Sequence, residues 1–266
     1  MLPRHTARAW RALLLLPLST CFAAAETAAP APAPPPDFTR KLDPTDFRTR
    51  FEMRHEFQAL QGGAERTYTY PRLDYAFSKV LQLRVETPFA TYDPRSQGQP
   101  GASGAGDLNV RLAYRALRTP GYALIAGVET AFDTAEDRDY GYGKNVVAPF
   151  AFMSFDAPRL RTTFFPGLQH FVSVSGDPTR RNVNYTVARF FILSRWPGNF
   201  YTGIENALFV DHERNGRTGF TLETEVGRFL NRHVAVWGRP GVGLHGDSLP
   251  WVYNWNFEVG VRYLFD

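Results

Sequence analysis

The C-terminal stretch 251–265 alternates between large apolar and polar side chains, and this pattern constrains the fold most strongly. A period of two is that of a β-strand, whose successive side chains point to opposite faces. Strands of soluble proteins average about 5–6 residues, whereas a tilted strand that crosses a membrane needs about 9–11. The length of the stretch therefore favours a membrane-crossing strand. The apolar face carries Trp251, Tyr253, Trp255, Phe257, Val259, Val261, Tyr263 and Phe265, opposite Asn254, Asn256, Glu258 and Arg262.

The same alternation begins at Phe47, where Phe47, Thr49, Phe51 and Met53 share one face and charged residues occupy the other. Similar segments fill the chain between these two ends, and together they predict about twelve strands. The registers of 146–155 and 182–194 are left open, because both segments are apolar on both faces in places. The twelve segments are 47–58, 67–77, 81–89, 108–115, 122–133, 146–155, 161–174, 182–194, 200–210, 220–226, 233–245 and 251–265.

The connections between these segments alternate in length, as in 93–104 against 118–121 and 135–144 against 156–160. Long loops on one side and short turns on the other are typical of outer-membrane barrels, which have even strand numbers in bacteria. Because a sheet in hydrocarbon cannot leave backbone groups unpaired, it must close on itself. We therefore predict an all-β fold: a closed antiparallel up-and-down transmembrane β-barrel of about 12 strands, with both termini on the periplasmic side.

The N-terminus predicts export. Arg4, Arg8 and Arg11 precede a short leucine-rich run, and small residues follow at 23–25, which is the layout of a cleaved signal peptide over 1–25. Cleavage there removes Cys21, the only cysteine, and lowers the formal charge from +4 to +1, which gives no argument for binding nucleic acid. Alternating Ala and Pro predict a disordered linker over 26–43, and the even composition of 44–266 predicts one barrel domain.

Several short motifs resemble a known family. They are 104–108 running into 112–115, then 182–185, 197–203 and 223–228, and they are similar to the family named for the meta-pathway of phenol degradation, a set of outer-membrane transporters. The resemblance implies passage of small hydrophobic or aromatic compounds without identifying one. The sequence Phe132-Asp133-Thr134 departs from the Pro-Thr-Gly-like strand end of that family.

The final strand also resembles the C-terminal assembly signal of outer-membrane proteins, with Phe265 in the penultimate position. The fold and these resemblances predict location in the cell outer membrane, with membrane lipid, the barrel assembly machinery and a small-molecule solute as partners and no nucleic acid. A soluble periplasmic barrel or sandwich remains an alternative, because alternation alone does not say which face points inward.

The candidate site is the charged face of the strands, which we predict to line the lumen. Rings of charge set the selectivity of pores, whereas in a narrow barrel paired Arg and Glu residues can simply fill and brace the lumen. Both interpretations stay open, and so does a structural barrel with a plugged lumen. The lumen-lining and selectivity candidates are Arg48, Arg50, Glu52, Arg54, Glu56, Arg84, Glu86, Arg111, Arg115, Glu223, Glu225, Glu258 and Arg262.

An enzymatic barrel, such as a lipid hydrolase or a protease, is the alternative from another functional class. A serine nucleophile needs a His base within hydrogen-bond reach, but His170 and Ser173 are three apart and point to opposite faces of a regular strand. His245 and Ser248 flank a predicted loop, where a serine is usually a turn residue. No His or Cys cluster has metal-ligand spacing, and Gly141-Tyr142-Gly143-Lys144 lacks the pattern of a phosphate loop. We therefore predict no catalytic residue, metal or cofactor.

Overall fold

The computed structural model describes residues 37–95, 101–137, 139–246, 249–250 and 252–265. The predicted signal peptide 1–25 lies outside the described residues, as does the predicted linker up to residue 36. Cys21, Trp251 and Ser248 also lie outside them.

Fourteen strands account for nearly all regular structure of the described residues. They are β1 Arg50–Ala59, β2 Glu65–Ala76, β3 Leu81–Glu86, β4 Phe89–Asp93, β5 Ala102–Ala105, β6 Leu108–Arg118, β7 Tyr122–Phe132, β8 Lys144–Ala157, β9 Thr162–Gly176, β10 Asn184–Trp196, β11 Phe200–Asp211, β12 Arg217–Phe229, β13 Val234–His245 and β14 Trp255–Leu264. Single turns of 3₁₀ type occur at Phe38–Leu42, Gln61–Gly63, Pro158–Leu160, Pro197–Asn199 and His212–Arg214.

The strands close into an antiparallel ring, because β1 pairs with β2 on one side and with β14 on the other. β3 and β4 both pair with β2 and form one barrel strand, which is interrupted at Pro88. β5 and β6 likewise form one barrel strand, interrupted at Gly106, whose N–H donates to the Pro88 carbonyl at 2.8 Å. The ring therefore has twelve strands, and the predicted all-β, closed, antiparallel barrel is confirmed. Among the described residues no helix has the length and apolar character to cross a membrane.

The two ends of the barrel differ as the connection lengths predict. The short-turn end holds the connections 77–80, 119–121, 158–161, 197–199 and 230–233, together with the beginning of β1 and the end of β14. The long-loop end holds the described residues of the longer connections: 60–64, 94–95 and 101, 133–137 and 139–143, 177–183, 212–216, and 246, 249–250 and 252–254. The turn 197–199 reverses the chain with positive φ at Gly198 (75°) and Asn199 (63°), a conformation that Gly and Asn adopt most readily.

The apolar faces of the strands point outward and the charged faces point inward. Leu168 and Val259 are 57% and 42% exposed on the outer surface, whereas Glu52 and Glu258 are buried inside the ring. This is the reverse of a soluble barrel, in which polar side chains face water on the outside. The arrangement gives the outer surface a broad apolar belt.

β8 and β10, whose registers the sequence left open, line an apolar part of the interior. Val146 of β8 and Val187 of β10 point inward into one buried cluster with Leu249 and Val252, which precede β14. Both faces of these strands are apolar because one face forms the outer surface and the other packs against this inward-folded connection.

Three sequence expectations differ from the structure at the two ends of the barrel. The first strand begins at Arg50, so Phe47, expected on the outer face, instead packs inside against Phe150. Tyr253, expected on the outer face of the last strand, is buried and points inward, because β14 begins only at Trp255. The predicted linker ran to residue 43, but 37–43 already belong to the barrel unit, since Leu42 finds apolar neighbours inside the ring.

Candidate functional site: the barrel lumen

One side of the lumen is organised around the buried carboxylate of Asp74 on β2. Arg50 Nε and Arg84 Nε each donate to Asp74 at 2.6 Å, and Arg72 Nη2 donates at 3.1 Å. Asp74 has no exposed surface, so its charge is compensated by these three guanidinium groups and not by water. Glu52 joins the group through Arg262 Nε at 2.5 Å and Arg72 Nη1 at 3.4 Å. This Asp74 cluster comprises Arg50, Glu52, Arg72, Asp74, Arg84 and Arg262.

A second cluster has the inverse composition, with one guanidinium among several carboxylates. Arg239 on β13 bonds to Glu225, approaches Glu223 at 3.4 Å and approaches Glu258 at 3.8 Å. Glu258 also accepts from the Trp237 indole at 3.1 Å, and Glu223 accepts from the Tyr253 hydroxyl at 2.5 Å. We call Glu223, Glu225, Arg239 and Glu258 the Arg239 cluster.

Arg54 joins the two sides of the lumen. Its Nη1 donates to Glu258 at 3.2 Å, and its Nη2 bonds to Glu86 on β3. Two further pairs lie on the wall between the clusters: Arg111 Nε with Glu129 at 2.6 Å, and Arg189 Nη1 with Glu205 at 2.5 Å. The inward charges of the described strands thus form an almost continuous set of ion pairs around the ring.

The predicted site residues divide into two groups. Arg48 lies before β1, is partly exposed and pairs with Asp46 at 2.6 Å. Arg115 points inward but is held at the short-turn end, where its Nη1 donates to the Thr45 carbonyl at 2.9 Å. The remaining eleven candidates line one cavity: Arg50, Glu52, Arg54, Glu56, Arg84, Glu86, Arg111, Glu223, Glu225, Glu258 and Arg262.

This inner cavity has a volume of about 500 Å³ and lies toward the short-turn end. Among the described residues that line it, eight are arginines and eight are glutamates, so its lining is close to neutral. Its walls hold charges in fixed positions while carrying little net charge. Such a lining suits polar groups of either sign and retains water.

A second, outer cavity of about 470 Å³ lies toward the long-loop end. Glu56, Glu86, Glu129, Arg189 and Glu205 are among the residues that line both cavities, so the two meet at the level of these side chains. Both cavities have aromatic lining residues: those of the inner cavity are five phenylalanines and Tyr201, whereas the outer cavity has a larger aromatic lining that is mostly tyrosine. It includes Tyr68, Tyr70, Tyr140, Tyr142, Phe171, Tyr185, Phe209 and Tyr253.

The connection 133–143 folds inward over the outer cavity and is anchored on Asp107. This carboxylate accepts the backbone N–H groups of Thr134, Ala135 and Tyr142 at 3.2, 3.1 and 2.7 Å. Burial raises the pKa of Asp107 above its ordinary value, although the three N–H donors oppose that shift. Burial likewise raises the pKa of Tyr142 to about 12, so its hydroxyl stays protonated beside the Tyr185 hydroxyl at 3.0 Å.

The short-turn end of the lumen is occupied by residues 37–48, which we call the pre-barrel segment. Leu42, Pro44, Thr45 and Phe47 of this segment line the inner cavity. Leu42 packs with residues of β9 to β14, and Phe47 packs with residues of β6 to β8. The segment therefore forms the floor of the inner cavity.

The geometry offers no support for the hydrolase alternative at the positions considered. The His170 ring bonds to the Thr186 hydroxyl at 3.0 Å, whereas the Ser173 hydroxyl accepts the backbone N–H of Val183 at 3.1 Å. His245 bonds weakly to Thr218 at 3.4 Å, and its proposed partner Ser248 lies outside the described residues. Within the part of the chain that the structure describes, no group of three or more His, Cys, Asp or Glu side chains could hold a metal ion.

Sequence reasoning missed six residues of the ion-pair set. Arg72 and Asp74 follow the period of two in the segment 67–77, so a systematic reading of the weaker segments finds them. Arg189 and Arg239 lie in segments where inward apolar residues or a proline obscure the alternation. The six residues are Arg72, Asp74, Glu129, Arg189, Glu205 and Arg239.

Comparison with solved structures places this barrel beside outer-membrane channels. An outer membrane channel from Pseudomonas putida F1 matches with a TM-score of 0.62 at 13% identity, covering 84% of this chain and 99% of that one. The NanC porin matches with a TM-score of 0.59 at 11% identity, covering 80% and 98%. The KdgM porin matches with a TM-score of 0.56 at 12% identity, covering 82% and 99%.

At these identities the likeness establishes a shared fold. No protein-family model and no curated protein matches the sequence, so the resemblance to the phenol meta-pathway family remains a prediction.

Proposed function

We propose that this chain is a channel of the bacterial outer membrane through which small molecules pass without chemical change. The observation that carries the proposal is the pair of adjoining cavities inside a closed barrel whose outer surface is apolar and whose inner surface is charged. An apolar outer face and a polar interior are what a barrel in lipid requires when water fills its lumen. The named activities of the three structural neighbours support the same class of function.

The finer assignment concerns the solute, which we propose to be small and to carry an apolar or aromatic part. The aromatic lining of the outer cavity supports this choice, since Tyr185 stacks on Phe171 at 4.4 Å and Phe209 lies beside them. A flat solute can exchange contacts with such rings. Because charged side chains line the inner cavity, the solute must also be able to cross a polar, hydrated region.

The eleven candidates that line the inner cavity are proposed to set selectivity through the balance of the two clusters. Arg48 and Arg115 have no such role in the proposal, because both are engaged at the short-turn end. Outer-membrane lipid around the apolar belt and the barrel assembly machinery during biogenesis are the partners that this function implies.

A structural barrel with a permanently closed lumen is the second candidate. The pre-barrel segment and the dense ion pairs favour it, since both reduce the free cross-section. The two candidates differ in flux: a structural barrel passes no solute under any condition.

Fractionation combined with a flux assay tests the proposal. Outer membranes from cells expressing the full chain should contain the protein, and its gel mobility should change on boiling. Liposomes carrying the purified protein should then swell in solutions of small aromatic solutes. Recovery in the soluble periplasm would refute the location, and the absence of swelling with every solute from a folded, heat-modifiable barrel would refute the channel.

A further inference from the structure

The pre-barrel segment lies across the short-turn mouth of the barrel. Thr39 and Thr45 are fully buried, and Leu42 and Phe47 are nearly so. It contacts the wall on several sides of the ring. Phe38 N–H donates to Asn199 Oδ1 in the β10–β11 turn at 3.0 Å, Lys41 Nζ donates to the Arg232 carbonyl in the β12–β13 turn at 3.0 Å, and Thr45 Oγ1 lies 3.5 Å from Ser154 Oγ on β8.

The segment is held by side chains and not by the sheet. None of its described backbone groups bonds to the backbone of a strand, and the Asp46 N–H donates within the segment to the Asp43 carbonyl at 3.0 Å. The ladders β1–β2 and β1–β14 close the ring without it. Removing the segment from the mouth therefore leaves no strand edge unpaired, which is the condition for a movable element in a membrane barrel.

Both ion pairs and apolar contacts hold the pre-barrel segment in the mouth of the barrel. Arg118 Nη1 lies 3.4 Å from Asp43 Oδ2 and 3.2 Å from Thr45 Oγ1, and Arg115 Nη1 lies 3.7 Å from Asp46 Oδ1. These contacts weaken with added salt where solvent reaches them, because ions screen the attraction between charges. Leu42 and Phe47 add apolar contacts that salt does not weaken.

We propose that the pre-barrel segment is a plug that closes the periplasmic mouth of the channel, and that its release determines whether the channel conducts. This inference rests on the proposed channel function and adds its regulation. In the plugged state a solute from outside reaches the two cavities but meets Leu42, Thr45 and Phe47 at their floor. Release connects the inner cavity to the periplasm.

A reversible cross-link tests the proposal within one protein. Thr45→Cys and Ser154→Cys, combined with Cys21→Ala so that no other thiol is present, place two sulfurs where hydroxyl oxygens are 3.5 Å apart, within reach of a disulfide. Oxidation should abolish conductance in a planar bilayer, and reduction in the same bilayer should restore it. The single-cysteine variants, which cannot form the link, should not respond to either reagent.

Two further variants should open the channel by releasing the plug. Asp43→Asn with Asp46→Asn removes the two carboxylates that pair with Arg118 and Arg115, and should raise the open probability at least twofold. Asp93→Asn with Asp133→Asn removes two charges at the long-loop end and should leave the open probability unchanged. Deletion of 37–47 should give a steady conductance without closures.

The outcomes separate the plug from the channel. The plug is overturned, and the channel left intact, if the wild type conducts and its conductance is the same after oxidation of the cysteine pair, in the Asn variants and in the deletion variant. Failure of every variant to conduct, the deletion included, overturns the channel itself. If the disulfide does not form, the Asn pair and the deletion still decide between these results.

Discussion

Arg84 Nε donates to Asp74 Oδ1 at 2.6 Å across the β2–β3 pair, and Asp74 has no exposed surface. One buried carboxylate thus holds three arginines at defined positions on the lumen wall. The opposite composition occurs at Arg239, where one arginine holds three glutamates. A lumen organised in this way carries charges of both signs without a large net charge. The Asp74 cluster is held together by the Asp74 carboxylate, and the Arg239 cluster by the Arg239 guanidinium.

Asp74→Asn should destabilise the barrel markedly. The change leaves Arg50, Arg72 and Arg84 with no carboxylate at their centre, and removing one partner of a buried ion pair costs about 3–5 kcal/mol. The urea midpoint for loss of the folded, faster-migrating band in detergent should fall accordingly. Asp133→Asn, which changes an exposed loop carboxylate, serves as the control, and equal midpoints for the two variants would contradict the role of Asp74.

Arg239→Gln should shift selectivity toward cations. It frees the charges of Glu223, Glu225 and Glu258, and one unit charge at about 4 Å contributes about 1 kcal/mol in water, or up to about fivefold in the permeability ratio. Reversal potentials across a salt gradient measure the change. Arg228→Gln removes the same charge from the outer surface, where Arg228 lies over the Phe200 ring at 4.8 Å, and should leave the reversal potential unaltered.

Val259→Arg should impair folding into lipid. Val259 lies midway along β14 on the apolar belt, and an arginine on the lipid face near the midplane costs about 2–4 kcal/mol. Folding yield into bilayers of defined thickness is the measurement, with Val259→Leu as the matched control. Equal yields for the two variants would argue against lipid contact at this face.

Asp107→Ala should release the connection 133–143 from the outer mouth. The substitution removes the acceptor of the Ala135 and Tyr142 backbone N–H groups, and each buried donor left without a partner costs about 1–3 kcal/mol. The Thr134 N–H loses its contact with Asp107 but keeps the Phe132 carbonyl at 2.8 Å. Limited proteolysis of the protein in liposomes should cut this connection faster than in the wild type. Asp107→Asn keeps one acceptor oxygen and should give an intermediate rate, whereas wild-type rates for both variants would show that Asp107 is not the anchor.

The period of two predicted most strands and separated their apolar from their charged faces, because lipid and lumen impose opposite demands on alternate residues. The length of the segments was needed to predict that the charged face points inward. The period of two was correct at Glu52, Glu223 and Glu258, which all point inward as expected. It failed at Phe47 and Tyr253, where the same spacing continues past the end of a strand into a segment that turns into the lumen. Local alternation does not record where pairing with a neighbouring strand stops.

The sequence also could not predict which charged residues pair across the lumen. Arg54 and Glu258 are separated by 204 residues and meet only because β14 closes the ring against β1. The plug is a similar case, since Leu42 and Thr45 show no pattern that distinguishes a linker from a segment buried in a barrel mouth. Their environment is created by the closed ring.

The most direct test of the account is a planar-bilayer recording of the purified, heat-modifiable protein beside the variant that lacks residues 37–47. The account predicts discrete conductance steps that close and reopen in the full chain and remain open in the deletion variant. A folded barrel that inserts into the bilayer yet gives no steps in either form would contradict the channel, and with it the interpretation of the lumen as a pathway.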